Sequence, residues 1–272
     1  MSGSPAVSTR LDFDAAGSPD APAIVLVHGS VVTRKMWLPQ LRRLSDRYRV
    51  LAPDLPGHGT LAGVPFTFDA AANRLADLIR TTIPDGRALV VGLSLGGYVA
   101  IELATRHPEL APALVLSGCS VNFTGVLGVY LKAVSAVMRR GWLTQSRAQA
   151  ERRTRRLFSA ALADVAEAQM LAGVYPESLA PAFAAMAGRD FAAALRPYRG
   201  PVLILNGDRD RPSCRGERLF AGALANGRTR RIANAGHACS LDQPEAYSEA
   251  VREFAESIGW DAGRAADAES VR

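Results

Sequence analysis

The chain has 272 residues, is 48% hydrophobic and 21% charged, and carries a formal net charge of +6. That length buries a large core and suits a single α/β domain, and the balance excludes a disordered or fibrous chain. Three cysteines, Cys119, Cys214 and Cys239, make no disulfide framework, and the lack of a CxxC pair or Cys/His cluster leaves no metal site to expect.

In chain order, the strongest pattern is a series of short apolar runs, each stopped by a turn signal. Residues 23–27 (AIVLV) end at His28-Gly29, and residues 48–52 (YRVLA) end at Pro53-Asp54 and the turn Pro56-Gly57-His58-Gly59. Residues 88–91 end at Gly92, residues 113–116 at Ser117-Gly118, and residues 201–205 at Asn206-Gly207. Runs of Val, Ile and Leu this continuous fit strands buried on both faces, as in a parallel sheet. A further strand is expected at 229–233. Amphipathic stretches of helix length lie at 37–46, 69–83, 97–106 and 243–258. The alternation predicts a mostly parallel, doubly wound α/β sheet with helices on both faces and ligand chemistry beyond the carboxyl ends of the strands.

The alternation stops between 121 and 197. That stretch is rich in Ala, Leu and Arg and has helical spacing, with apolar positions at Val134, Val137, Met138, Leu157, Leu162, Phe183, Met186 and Phe191. It reads as a helical lid inserted between two strands, dividing the core into segments 9–120 and 198–258. The terminal stretches 1–8 and 259–272 are small, polar or charged and are expected to be disordered tails. Residues 132–156 hold eight basic residues against one acid, Glu151. With no nucleic-acid motif beside it, this run reads first as a solvated helix face, and otherwise as a surface attracting anions. No signal-peptide pattern opens the chain and no run reaches the length of a membrane span. The expectation is a cytoplasmic protein with no membrane or nucleic-acid partner.

Gly92-Leu93-Ser94-Leu95-Gly96 matches GxSxG and sits between an apolar strand and a helix, the strand–turn–helix setting that a nucleophilic serine needs. A serine hydroxyl requires a base, and the chain has four histidines: His28, His58, His107 and His237. His107, in Arg106-His107-Pro108, reads as a surface residue, and His58 lies in a Pro-Gly-rich turn.

The motifs His28-Gly29-Ser30, Asp54-Leu55-Pro56-Gly57-His58-Gly59, the Ser94 turn, Gly207-Asp208-Arg209-Asp210 and Ala235-Gly236-His237 follow one another in the order seen in α/β-hydrolases. Over residues 11–258 the sequence resembles that family, in particular its lidded esterase and lipase-like members. The resemblance implies Ser94 as nucleophile, His237 as general base and Asp210 as the acid that orients it, with Asp208 left to satisfy loop amides or face solvent. It also implies an oxyanion hole from the backbone N–H groups of Ser30 and Leu95, a lid placed after the family's sixth strand, and no cofactor. The implied function is hydrolysis of an ester, lactone or thioester of a small, partly apolar substrate through an acyl-enzyme. Relatives with the same triad also cleave carbon–carbon bonds, perform cofactor-free perhydrolysis, act as lyases or serve as receptors. Cys119 and Cys239 are expected as small buried apolar residues. Phe123, Tyr130 and Trp142 belong either to the substrate pocket or to the lid's own core. The oligomeric state is left open.

Overall fold

A computed structural model describes residues 13–143 and 146–260. In chain order the strands and helices are β1 (Phe13–Ala16), β2 (Ala23–Val27), α1 (Leu38–Leu44), β3 (Arg49–Pro53), α2 (Phe68–Thr82), β4 (Leu89–Leu93), α3 (Leu95–Arg106) and β5 (Ala113–Ser117). Then come α4 (Gly125–Arg139), α5 (Arg147–Arg155), α6 (Ala163–Ala172), α7 (Leu179–Met186) and α8 (Phe191–Leu195). The chain closes with β6 (Val202–Gly207), α9 (Arg211–Ala223), β7 (Gly227–Ile232), α10 (Cys239–Asp242) and α11 (Pro244–Ser257).

The strands form one sheet in the order β1-β3-β2-β4-β5-β6-β7, parallel throughout except for β1, which runs antiparallel to β3. Side chains alternate across the sheet as the two-residue period of a strand requires. Val25, Val27, Val90, Leu114, Leu116 and Ile204 enter the core shared with α2, α3 and α8. Ile24, Leu26, Val91, Val115, Leu203 and Leu205 enter the opposite core with α1 and α11.

Local chemistry sets the helix ends. Thr67 caps α2, its side chain accepting from Ala70 N at 3.0 Å, and Asp69 and Arg80 sit at the ends that match the helix dipole. Phe68, Ala71, Ala72, Leu75, Ala76 and Ile79 form its buried stripe.

β1 was not expected from the sequence. Its four residues, FDAA, are only partly buried at the sheet edge, so no apolar run marks them. The last strand begins two residues before the expected 229–233 and is mostly polar. As the other edge strand it carries Arg230 and Arg231, paired with Glu253 and Glu217, a charged edge that resists further strand addition. The helical insertion follows β5, the fifth strand among the described residues, where the resemblance implied a place after the sixth. The expected tail 1–8 lies outside the described residues, as does 261–272. Gly259 and Trp260 are described, and the Trp260 indole donates to Ala23 O at 3.2 Å.

The sheet order creates the position for a site. From β2 the chain moves outward to β3, then returns on the other side of β2 to form β4. The turns after β2 and β4 therefore open side by side at the switch point, beyond the carboxyl ends of the strands.

Candidate active site

Ser94 stands between β4 and α3 with φ 54° and ψ −119°. A positive φ is costly for a residue with a Cβ, and such strain persists only where the surroundings hold it. Here Ser94 N donates to Ser117 O of β5 at 2.8 Å, and Ser94 O accepts from Tyr98 N of α3. The flanking glycines are dictated by space. A Cβ on Gly92 would lie 2.4 Å from Gly96 O, and one on Gly96 would lie 2.1 Å from Val27 O. The result is a partly exposed serine hydroxyl at the floor of a cavity of about 570 Å³.

His237 and Asp210 reach the same cavity from the turns after β7 and β6. His237 Nδ1 lies 2.8 Å from Asp210 Oδ2. The carboxylate accepts, so Nδ1 carries the hydrogen and Nε2 keeps a free lone pair, the tautomer a general base needs. Burial alone would raise the Asp210 carboxyl, but hydrogen bonds from His237 and Ser213 outweigh it and hold the group below its ordinary value. Asp210 is thus kept ionised beside a half-exposed imidazole. Asp208 is exposed and accepts from Ala235 N at 3.2 Å. Ser94 Oγ makes no hydrogen bond among the described residues.

Ser30 and Leu95 also line the cavity. Leu95 is the first residue of α3, so its N–H has no carbonyl inside the helix to bond. Neither amide is donated elsewhere among the described residues. Gly29 brings the first loop against Ser94, where a Cβ would lie 3.4 Å from Ser94 Cβ.

Several residues that shape this loop were not singled out in the sequence. Val31, directly after Ser30, has φ 73°, an outlier for a β-branched side chain. Its N–H is shared between His58 Nε2 at 3.3 Å and Ser178 Oγ at 3.2 Å, and its carbonyl accepts from Tyr175 N at 2.8 Å. Two positions on, Thr33 N and Oγ1 donate to the buried Gln169 Oε1. Tyr175, Ser178 and Gln169 all belong to the helical insertion, so the insertion grips the loop that carries Ser30. No periodicity signals a positive φ or a grip between segments more than a hundred residues apart.

His28 and His58 are buried and work as acceptors. His28 Nε2 accepts from Leu55 N at 2.9 Å, with Nδ1 2.7 Å from Gly29 O. His58 Nδ1 faces Pro56 O at 3.1 Å, which fixes the hydrogen there and leaves Nε2 for Val31. Burial lowers the pKa of both imidazoles, and that of His58 falls to about 3, helped by the neighbouring His28 ring. His107 pairs with Arg80 and Glu109 at the surface.

Burial pushes the thiols of Cys119 and Cys239 up, the latter to about 12, which keeps both in the protonated form. Phe123 lines the cavity and packs with Tyr98 and Phe191. Tyr130 and Trp142 do neither of the things expected of them: both face solvent, Trp142 being 80% exposed.

The cavity wall is otherwise apolar, with Met36, Leu127, Leu157, Phe183, Met186 and Leu241 prominent in it. Among the described residues no group of His, Cys, Asp and Glu could hold a metal, and no helix is long and apolar enough to cross a membrane.

With the sheet and the site in view, comparison with known proteins gives a match to the alpha/beta hydrolase family over residues 24–250. The chain belongs to that family. It is 32% identical over 247 residues to a pimeloyl-[acyl-carrier protein] methyl ester esterase of Aromatoleum aromaticum, covering 82% of this chain and 94% of that protein. A protein of the same name from Neisseria meningitidis serogroup B is 30% identical over 251 residues, covering 88% of this chain and 95% of that one. A thermophilic esterase from Thermogutta terrifontis superposes with a TM-score of 0.75 at 27% identity, covering 91% of this chain and 93% of that one. The chain is an α/β-hydrolase that acts on ester bonds.

Proposed function

We propose that the enzyme cleaves carboxylic esters with a partly apolar acyl group through an acyl-enzyme on Ser94. The observation that carries this reading is the strained Ser94 turn opening into the same cavity as the His237–Asp210 pair. His237 Nε2 takes the Ser94 proton as Oγ attacks the ester carbonyl, and Asp210 stabilises the imidazolium that forms. The oxyanion is held by the N–H groups of Ser30 and Leu95. His237 then returns the proton to the leaving alcohol. Water, deprotonated by the same nitrogen, attacks the acyl-enzyme and frees the acid and Ser94. Loose geometry between nucleophile and base is ordinary before substrate binds.

In this reading residues 121–197 act as the lid over core segments 9–120 and 198–258. Apart from the His237–Asp210 pair, the cavity lining carries no ionisable side chain except tyrosine, so a neutral acyl chain fits it better than one ending in a free carboxylate. The two relatives named for pimeloyl methyl esters make a methyl ester, with its small alcohol, a sensible substrate to add to the test.

The experiment compares wild type and Ser94→Ala on p-nitrophenyl esters from acetate to decanoate and on methyl esters of matched acids. The expected result is hydrolysis with an optimum at medium chain length, lost by about a thousandfold or more in the variant. Equal activity in the two proteins overturns Ser94 as nucleophile. Inactivity of both overturns ester hydrolysis of simple acyl groups.

A further inference from the structure

Helix α4 packs on α7 and buries Gly128, Leu131 and Ser135, with Ser135 Oγ donating to Ala180 O at 2.7 Å. Its other side is apolar and bare. Val126, Val129 and Tyr130, spaced i, i+3 and i+4, are 87%, 71% and 62% exposed. After the helix ends, Trp142 is also exposed. A row with that spacing covers one helix face and ordinarily lies against a core. Contiguous exposed apolar surface on a folded protein marks an interaction site.

The same part of the chain is strongly basic, with eight Lys and Arg against Glu151 alone between 132 and 156. Gln149, Arg152, Arg153 and Arg156 line a shallow depression on the outer side of α5. Leu127 of α4 and Leu157, just after α5, both line the Ser94 cavity, so both helices reach its rim.

The charge decides among occupants. A second copy docked about a two-fold axis would bring two cationic patches together, which opposes self-association. A soluble anionic molecule would satisfy the arginines and leave Val126, Val129 and Trp142 in water. An anionic bilayer satisfies both, with tryptophan and valine among the headgroups and guanidinium groups on lipid phosphates. The lack of a membrane-spanning helix speaks only to crossing, since a face lying on the surface needs no such length.

We propose that α4, the 140–143 turn and α5 dock this enzyme peripherally on an anionic lipid surface, with the mouth of the Ser94 cavity turned toward the lipid. Binding is read without catalysis, so its failure leaves the ester-hydrolase reading untouched.

The test is co-sedimentation of the full chain with vesicles of phosphatidylcholine containing about a third phosphatidylglycerol, against vesicles of phosphatidylcholine alone. The expected result is binding to the anionic vesicles at least about tenfold tighter than to the neutral ones. Val126→Ser/Val129→Ser and Arg152→Gln/Arg153→Gln should each weaken binding by about fivefold or more. Far-UV circular dichroism and hydrolysis of a soluble p-nitrophenyl ester should be retained in both. No binding to anionic vesicles overturns the proposal. Binding that falls with the arginines but ignores the valines also overturns it, and points to an acidic macromolecule instead. A dimer that dissociates in the valine variant without any vesicle binding assigns the face to a second copy.

Discussion

Replacing Ser178 by alanine separates a merely structural grip on the loop that carries Ser30 from one that serves the proposed oxyanion hole. Val31 sits at φ 73°, beside the Ser30 amide, a conformation that costs on the order of 1–3 kcal/mol. Three hydrogen bonds hold it: its N–H to His58 and Ser178, and Tyr175 N to its carbonyl. Because His58 at 3.3 Å still accepts from the Val31 N–H, Ser178→Ala removes only part of a partly buried hydrogen bond. The loss is about 1 kcal/mol, which is about fivefold in rate if it falls wholly on the transition state. The oxyanion exists only after attack, so kcat for p-nitrophenyl butyrate should drop by about fivefold while KM moves by less than about twofold. Ser178→Thr, which keeps the hydroxyl, should restore most of the rate. If Ser178→Ala lowers the melting temperature but leaves kcat unchanged, the grip is structural only. If KM rises at constant kcat, Ser178 acts on substrate binding and the reasoning about Ser30 is wrong.

Asp210→Asn should lower kcat by about a thousandfold or more in steady-state assays, because an amide oxygen replaces the charge that stabilises imidazolium. Asp208→Asn should stay within about threefold of wild type, and the reverse ranking would move the acid to Asp208. Gly96→Ala places a Cβ 2.1 Å from Val27 O and 2.6 Å from His28 O, both backbone. Neither can yield alone, so thermal unfolding should show a loss of at least about 2 kcal/mol, and an unshifted melting temperature would contradict the packing described. The neutral His58 predicts acid sensitivity. Its folded pKa is about 3 against an ordinary 6.5, so the unfolded chain binds a proton that the folded chain refuses. The stability is complete above pH 6.5 and is lost as pH falls toward 3, with His28 and then Asp210 adding in the same direction. Urea midpoints measured across that window should fall with a shallower slope in His58→Asn, and an unchanged slope would show that His58 does not set it.

The sequence by itself determined the buried strands of the sheet and the order of the turns that carry the candidate site residues. The five apolar runs from 23–27 to 201–205 could be read because strands buried on both faces must be apolar almost without interruption. The turns that carry Ser94, Asp210 and His237 could be read because sharp turns at strand ends need glycine and short polar residues. β1 could not, since a four-residue edge strand buries too little to need an apolar run.

Only the tertiary structure decided the rest. Which of two nearby aspartates meets His237 depends on the path of one turn, and puts Asp210 on the ring and Asp208 on a backbone amide. The roles of Gln169, Tyr175 and Ser178 follow from contacts across more than a hundred residues and that of His58 from one across 27, and Val31's backbone angle follows from those contacts in turn. The same holds for Tyr130 and Trp142, because a helical period says that one face is apolar but not what lies opposite it. Periodicity records what each segment needs to bury, and packing alone decides which segment answers.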